Sequence, residues 1–211
     1  MSHAKNPANK TLVLATRNAG KIKELEALLS GLGFAVLGLG EFPHIGEIEE
    51  TGATFAENAL IKARAVAQAT GLVALADDSG LEVDVLSGAP GVYSARYSGP
   101  GATDESNNLK LLHELNAVPE EERACRFTSV VAAMAPNGQQ LLAQGSWEGR
   151  VLTAPQGTGG FGYDPLFLDL ELNKSAAELA PAEKNARSHR GRALRALLEN
   201  WPDFWARAAR G

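Results

Sequence analysis

The sequence has few cysteines, few aromatic residues and no long apolar run, and it has no excess of positive charge. Cys125 is the single cysteine, so an intramolecular disulfide is excluded and a reducing compartment, the cytoplasm, is expected. No apolar stretch reaches the ~18 residues that a membrane span needs. The 25 acidic residues outnumber the 20 lysines and arginines, which excludes a general attraction for nucleic acid. Any phosphate must therefore be held by a few placed cations or by a metal.

Several familiar sequence patterns are also missing. No period of 20–50 residues recurs, which excludes a repeat protein, and the P-loop pattern is absent. Residues 1–10 lack the apolar segment of a signal peptide and are expected to form a polar N-terminal extension. The rest of the chain, residues 11–211, has the length and the hydrophobic content of one globular domain, and the composition excludes global disorder.

The chain is organised around residues 72–83, where a short apolar run ends at two adjacent carboxylates, Asp77 and Asp78, which are followed by Ser79 and Gly80. Such a run is typical of a strand buried on both faces in an α/β domain. Ligands of these sheets collect beyond the carboxyl ends of the strands. Successive side chains point to opposite faces, so Asp77 and Asp78 are expected to have different roles. The alternative is a polar turn that merely closes the strand.

Residues 11–15 predict a first strand, and the segment from Thr16 to Lys21 turns directly into a helix. Such a turn aims backbone N–H groups and the positive end of the helix at whatever lies above it, and phosphate is the natural ligand. Asn18 and Lys21 are the candidate side-chain donors. The alternative is a plain strand–helix connection with a surface lysine.

An acidic loop containing Glu49 and Glu50 precedes a second helix, which Thr54 and Glu57 begin with a capping box. Acidic loops are usually just solvated, although these carboxylates could also bind a metal. The helix leads straight into the strand of Asp78, so Lys62 is a candidate for the same crevice, the alternative being a solvent-facing lysine.

The C-terminal half contains a predicted hairpin, around residues 136–138, and then a glycine-rich loop at residues 157–165. Glycines let the backbone approach a flat ligand closely, and Phe161 or Tyr163 could stack on a base. The alternative is a tight turn whose aromatic side chains return to the core. Two further helices are predicted, one containing Lys184 and one beginning with His189 and Arg190.

Taken in order, these segments resemble the inosine triphosphate pyrophosphatase family, the Ham1-like enzymes that act on non-standard purine nucleotides. The matching segments are 16–21, 49–52, 54–59 with Lys62, 76–80, 94–97, 157–165, Lys184 and 188–191. Each segment alone is a weak signal, whereas the ordered set is specific and extends over about residues 11–198.

The resemblance implies an α/β fold with a long mixed β-sheet, flanking helices and two lobes around a central cleft. It implies a homodimer that uses Mg²⁺ to hydrolyse ITP, dITP and XTP to the monophosphate and pyrophosphate. Asp78 is implied as the proton acceptor, and Glu49 and Asp78 as the metal site. The residues implied or predicted to contact the nucleotide are Thr16, Arg17, Asn18, Ala19, Gly20, Lys21, Lys62, Ser79, Phe161, Gly162, Tyr163, Asp164, Lys184, His189 and Arg190.

Elementary chemistry agrees with these roles. Attack of water on phosphorus needs charge neutralisation and positioning more than covalent help, and one or two carboxylates plus substrate phosphates commonly hold Mg²⁺. Two other functions stay open at this point. A nucleotide-binding regulator would not need both Glu49 and Asp78, and a phosphatase would release the terminal phosphate instead of pyrophosphate.

Overall fold

The computed structural model describes residues 10–209, which form a mixed seven-stranded sheet with flanking helices. The strand order is β2-β1-β3-β4-β5-β6-β7, with β1 parallel to both of its neighbours and every later pairing antiparallel. The strands are β1 Lys10–Leu14, β2 Phe34–Gly38, β3 Val73–Val83, β4 Ala124–Met134, β5 Gln140–Val151, β6 Phe167–Asp169 and β7 Lys174–Ser175. The predicted α/β fold with a long mixed sheet is confirmed.

Local signals at the helix ends agree with the sequence predictions. The helices are α1 Ala19–Leu29, α2 Phe55–Thr70, α3 Asp104–Glu114, α4 Pro181–Arg187, α5 His189–Glu199 and α6 Trp201–Ala208. Thr54 and Glu57 form the predicted capping box of α2, and Gly71 ends this helix in the left-handed conformation at φ 66°. Ser188 caps α5 by accepting a hydrogen bond from the backbone N–H of Gly191. No helix within residues 10–209 is long and apolar enough to cross a membrane.

The predicted end of the central strand is wrong. β3 does not stop at the two aspartates but continues through Asp77, Asp78 and Ser79 to Val83, and it is paired with β4 from Ala74 to Val83. Asp77 lies opposite Val131, and Ser79 lies opposite Ser129. The polar residues therefore lie in the middle of a long strand, which also rules out the polar-turn alternative.

The sheet face that carries Asp77 has two separate apolar regions. At one end, α1, α5 and α6 cover a core that includes Leu75 of β3 and Val131 of β4. At the other end, a second core includes Leu81 and Phe127 of the same strands. Between the two cores this face is polar, with Asp77, Ser79 and Ser129. The opposite face of β3 is covered by α2.

Two further predictions concern β4 and the start of the chain. β4 and β5 form the predicted hairpin, closed by a hydrogen bond from the N–H of Gly138 to the carbonyl of Ala135 at 2.9 Å. Cys125 is buried on β4, as expected of a small hydrophobic residue, and burial raises the pKa of its thiol. β1 begins at Lys10, and the remainder of the predicted N-terminal extension, residues 1–9, lies outside the described residues.

Candidate active site

The carboxylate of Asp77 contacts side chains from α1, α5 and β4 on the polar part of its sheet face. This carboxylate is fully buried and lies 2.8 Å from the ammonium of Lys21 on α1 and 3.2 Å from the guanidinium of Arg190 on α5. It also accepts hydrogen bonds from the hydroxyls of Ser129 and Ser79, at 2.6 and 3.0 Å. Burial alone would raise its pKa, but Arg190 and Lys21 hold the pKa of Asp77 well below its usual range. Asp77 is therefore an anion that fixes two cations.

Asp78 faces α2, on the other side of the sheet, as strand alternation predicts. Its Oδ1 accepts a hydrogen bond from the ammonium of Lys62 at 2.8 Å, and Lys62 also contacts Glu50 at 2.7 Å. Its Oδ2 is buried and has no hydrogen-bond partner among residues 10–209. Burial raises the pKa of Asp78, and Lys62 offsets this only in part. An unpaired, buried carboxylate oxygen of this kind is suited to a cation or a proton.

The acidic loop brings Glu50, rather than Glu49, next to this pair. Glu50 is half-buried between Lys62 and the guanidinium of Arg96, at 2.7 and 3.5 Å. Glu49 is exposed and forms no ion pair with any residue from 10 to 209; it lines a shallow depression beside Glu50 and Arg96. The metal-binding role that the resemblance implies for Glu49 stays a prediction.

The turn between β1 and α1 is tied to its own helix and to the acidic loop. Asn18 caps α1 by accepting the backbone N–H of Lys21 at 3.0 Å, and the hydroxyl of Thr16 accepts the N–H of Asn18 at 3.2 Å. Arg17 donates to backbone carbonyls, among them that of Gly46 at 3.3 Å. Asn18 and Lys21 line adjoining pockets on the two sides of this turn. Lys21 is thus paired with Asp77, not a free surface lysine.

The glycine-rich loop gives its two aromatic residues different surroundings. Tyr163 is buried in the core, and its hydroxyl donates to the carbonyl of Ser94 at 2.9 Å. Phe161 is only half-buried and lines a pocket together with Lys21, Ser79 and Arg190. Its ring lies against Gly20 of α1, where a Cβ would come within 2.5 Å of the ring. Tyr163 therefore follows the alternative of a return to the core, and Phe161 remains the candidate for stacking.

Two cations lie over the ring of Phe161. The ammonium of Lys184 is 4.9 Å from the ring centroid and the guanidinium of Arg190 is 5.7 Å from it, both within range of a cation–π contact. Lys184 pairs with Asp164 at 2.6 Å and with Glu24 at 2.8 Å. Glu24 also pairs with Arg190. The ring of Phe161, which has the size of a base, thus lies under two cations, and each of these cations is paired with carboxylates of the protein.

His189 begins α5 and stacks on Phe127, with ring centroids 4.7 Å apart and planes 15° apart. Burial and the neighbouring charge of Arg190 hold the pKa of His189 well below its usual range, so the imidazole is neutral. Its Nδ1 and the Nε of Arg190 are buried without a partner among the described residues. An unpaired buried donor such as the Arg190 Nε is costly unless a ligand supplies an acceptor.

The arrangement is suited to an elongated anionic ligand with a flat group. One face of β3 offers the cations Lys21, Lys184 and Arg190 beside the ring of Phe161, and the other face offers Asp78, Glu50 and Lys62. No group of three or more histidine, cysteine, aspartate or glutamate side chains within residues 10–209 forms a ready metal cage. The carboxylates of Asp78 and Glu50 nevertheless suit Mg²⁺, which commonly takes one or two carboxylates and fills its remaining positions with phosphate oxygens and waters.

Sequence reasoning missed several residues of this site. Glu24 follows Lys21 by three positions on α1 and so shares its face, a spacing that could have indicated it. Glu50 lies in the acidic loop and in the matching segment 49–52, but the resemblance implies a metal role only for Glu49 and Asp78. Ser129 approaches from a distant segment and carries no local signal, whereas Ser94 belongs to the matching segment 94–97 but was given no individual role.

Comparison with known proteins gives a consistent result. The model of the Ham1 family matches residues 12–200. A dITP/XTP pyrophosphatase of Nitratidesulfovibrio vulgaris is 61% identical over 201 residues, which cover 92% of this chain and 97% of that protein. A dITP/XTP pyrophosphatase of Geobacter sulfurreducens is 57% identical over 189 residues, 90% of this chain and 94% of that protein. The structure of a Ham1 protein from Coxiella burnetii superimposes with a TM-score of 0.83 at 46% identity, covering 92% of this chain and 98% of that one.

Proposed function

The chain belongs to the Ham1 family, as the resemblance predicted, and from that premise we propose that it is a nucleoside triphosphate pyrophosphatase. It hydrolyses non-standard purine nucleotides, dITP and XTP in the first place, to the monophosphate and pyrophosphate, and so cleanses the nucleotide pool. One observation carries the proposal. The ring of Phe161, with Lys184 and Arg190 over it, lies on the Asp77 side of β3, and the carboxylate of Asp78 lies on the other side of the same strand.

In this proposal the two faces of β3 divide the work. Phe161 provides the surface for the base, and Lys21 together with the N-terminus of α1 neutralises phosphate charge. Asp78 accepts a proton from the attacking water, a role favoured by its burial-raised pKa. Lys62 orients Asp78 through the 2.8 Å hydrogen bond. The geometry thus supplies charge neutralisation and positioning, which phosphoryl chemistry needs most.

We propose Mg²⁺ as the cofactor, held by Asp78 and one carboxylate of the acidic loop. When bound, the ion neutralises phosphate charge and lowers the pKa of water. The resemblance points to Glu49 as that carboxylate. The structure favours Glu50, because Lys62 contacts both Glu50 and Asp78 and so places the two carboxylates close together. Glu49→Gln and Glu50→Gln variants separate the two: the variant that lacks the ligand needs a higher Mg²⁺ concentration for half-maximal activity. Equal Mg²⁺ dependence of both variants and the unmodified protein would contradict a metal role for the loop.

Base choice follows from donors and acceptors. Hypoxanthine and xanthine carry an oxygen at C6, which suits the unpaired Nε donor of Arg190, whereas adenine presents an amino group there. A hydrogen-bond donor of the protein that faced C2 would bind the C2 oxygen of xanthine and tolerate the C2 hydrogen of hypoxanthine. It would repel the C2 amino group of guanine, which is itself a donor. We expect kcat/KM for ITP and XTP to exceed that for ATP and GTP by at least about 100-fold.

A product assay with these four triphosphates tests the function. Incubation with Mg²⁺ should release pyrophosphate and the monophosphate from ITP and XTP. Release of orthophosphate and IDP would favour the phosphatase, and binding without turnover would favour the regulator. Comparable rates for GTP and ITP would contradict the C2 argument, and comparable rates for ATP would contradict the C6 argument.

We also propose a cytoplasmic homodimer. The dimer rests on the family resemblance, and the cytoplasmic location rests on the single, buried cysteine, which fits a reducing compartment. Light scattering at micromolar concentration should give twice the chain mass of 22.2 kDa, and a mass equal to that of one chain would contradict the dimer.

A further inference from the structure

The first turns of α3 hold the backbone of the glycine-rich loop from both sides of Gly162. The N–H of Gly162 donates to the carboxylate of Asp104 at 2.7 Å, and the side-chain amide of Asn108 donates to the carbonyl of Gly162 at 2.9 Å. Asp104 and Asn108 are four residues apart and therefore share one face of the helix. The two peptide groups that flank Gly162, one shared with Phe161 and one with Tyr163, are thus fixed by a single helix face.

The position of the Phe161 ring depends on this backbone. Gly162 has φ +63°, a conformation that favours glycine, so the chain turns sharply directly after Phe161. The N–H of Phe161 itself donates to Asp164 at 2.8 Å. Asp164 thus holds the N–H before the turn, and Asp104 and Asn108 hold the two peptide groups at the turn. Together these contacts direct the ring of Phe161 against Gly20 and under the two cations.

α3 is itself anchored, so the contact is made from a fixed support. Thr103 and Ser106 form a capping box at its start. Asn107 is buried, accepts the N–H of Ser98 at 2.8 Å and donates to the carbonyl of Ala95 at 3.2 Å. Leu111 is fully buried in the core beneath the helix.

We propose that Asp104 and Asn108 are positioning residues that fix Phe161 as the surface on which the purine base lies. They set the affinity for the base-bearing part of the nucleotide and leave the binding of the phosphates unchanged. This inference rests on the proposed function. It assigns a role in base recognition to α3, a helix that none of the sequence motifs includes.

The test compares Asp104→Ala with Asp104→Asn, which keeps an acceptor oxygen, and with Glu105→Ala. Glu105 is the matched control because it lies in the same first turn, is exposed, and its side chain forms no hydrogen bond or ion pair with residues 10–209. The readouts are kcat and KM for ITP, and the inhibition constants of IMP and of pyrophosphate, which lacks the base.

Loss of one hydrogen bond of ordinary strength predicts that Asp104→Ala raises KM and the inhibition constant of IMP by about 3- to 10-fold. The kcat and the inhibition constant of pyrophosphate should stay close to those of the unmodified protein. Asp104→Asn should restore most of the lost affinity, and Glu105→Ala should have no effect. Unchanged IMP binding in Asp104→Ala, an equal loss of pyrophosphate binding, or no rescue by Asn would each overturn the inference.

Hydrogen exchange of the loop provides a readout that does not depend on activity. Peptides covering residues 157–165 should exchange faster in Asp104→Ala, and in Asn108→Asp, which sets a carboxylate against the Gly162 carbonyl, but not in Glu105→Ala. Unchanged exchange in both variants would overturn the contact. If the unmodified protein did not cleave ITP, the proposed function would fail, whereas exchange alone would still decide whether α3 holds the loop.

Discussion

At the scale of single residues, Asp77 and Asp78 are adjacent in the sequence but have different roles, because they face opposite sides of the sheet. Strand alternation places Asp77 beside Arg190 and Lys21, and Asp78 beside Lys62. Every hydrogen-bond or ion-pair partner of the first carboxylate is a cation or a hydroxyl, and its pKa is lowered, whereas the second keeps an unpaired oxygen and its pKa is raised. The alternation was predictable from the sequence, but the identity of each partner was not, because the partners come from distant segments.

Replacing Asp78 by Asn should remove nearly all turnover while nucleotide still binds. Asn keeps the shape of the side chain but can neither accept a proton nor contribute a negative charge to a cation. We expect kcat/KM for ITP to fall at least about 100-fold. Steady-state kinetics together with calorimetric binding of IMP would check this, and a variant that kept more than about 1% of the activity would rule out the role.

Replacing Asp77 by Asn should affect stability and binding more than the chemical step. The change leaves the buried guanidinium of Arg190 without its anion, although Glu24 still contacts it. Breaking a buried ion pair lowers the free energy of unfolding by about 3–5 kcal/mol. Because Glu24 still pairs with Arg190, the loss should lie at the lower end of this range. Urea unfolding measures the free energy, and kinetics should show a raised KM with a smaller loss of kcat than in Asp78→Asn. A loss of kcat equal to that of Asp78→Asn, with unchanged stability, would contradict the separation of roles.

His189 predicts a pH dependence of stability. Its pKa is lowered in the folded protein, so below the ordinary value of about 6.5 the unfolded chain binds a proton that the folded chain does not. The free energy of unfolding should therefore fall as the pH drops below about 6.5, with a slope approaching about 1.4 kcal/mol per pH unit. Urea unfolding of His189→Gln should lack this contribution, while the same change at the exposed His113 should leave it in place. Identical slopes in His189→Gln and the unmodified protein would argue against a neutral buried imidazole.

At the scale of elements, local chemistry predicted several ends of helices and strands and failed at the end of β3. The capping box of α2, the cap of α5 and the β4–β5 turn each depend on residues within a few positions of one another, so a sequence pattern suffices. The end of β3 was predicted at Asp77 because Asp, Ser and Gly favour turns. Pairing with β4, more than 40 residues later, overrides that preference. For the same reason the contacts of Glu24 and Asp104 with distant partners could not be read from the sequence.

The packing of α5 on β5 gives a prediction at this scale. α5 approaches β5 so closely that a Cβ at Gly145 would lie 2.4 Å from the carbonyl oxygen of His189 and 2.5 Å from the backbone nitrogen of Ala193. Gly145→Ala should push the start of α5 away from the sheet and destabilise the protein by about 1–3 kcal/mol. Because that end of α5 carries His189 and Arg190, KM for ITP should rise as well. Thermal unfolding and kinetics test both effects, with Gly40→Ala as the control, since nothing lies near a Cβ there. An unchanged melting temperature would contradict such close packing.

At the scale of the whole molecule, charges of both signs meet on both faces of the sheet and largely compensate one another. On the Asp77 face, Lys21, Lys184 and Arg190 are paired with Asp77, Asp164 and Glu24. On the other face, Lys62 lies between Asp78 and Glu50. This compensation lets the fold hold a charged site next to its apolar cores, since unpaired buried charges would be costly.

Removal of the proposed Mg²⁺ should therefore abolish activity without unfolding the protein. Lys62 already stands between the two carboxylates, so the fold does not need a cation to relieve their repulsion. Excess EDTA should stop pyrophosphate release from ITP, while the stabilisation lost stays below about 1.5 kcal/mol, the value for a ligand at ten times its dissociation constant. In Lys62→Met the carboxylates face each other without a cation, so Mg²⁺ should raise the melting temperature of that variant more than that of the unmodified protein. Unfolding by EDTA alone, or an equal Mg²⁺ effect in both proteins, would show that the metal and not Lys62 balances the carboxylates.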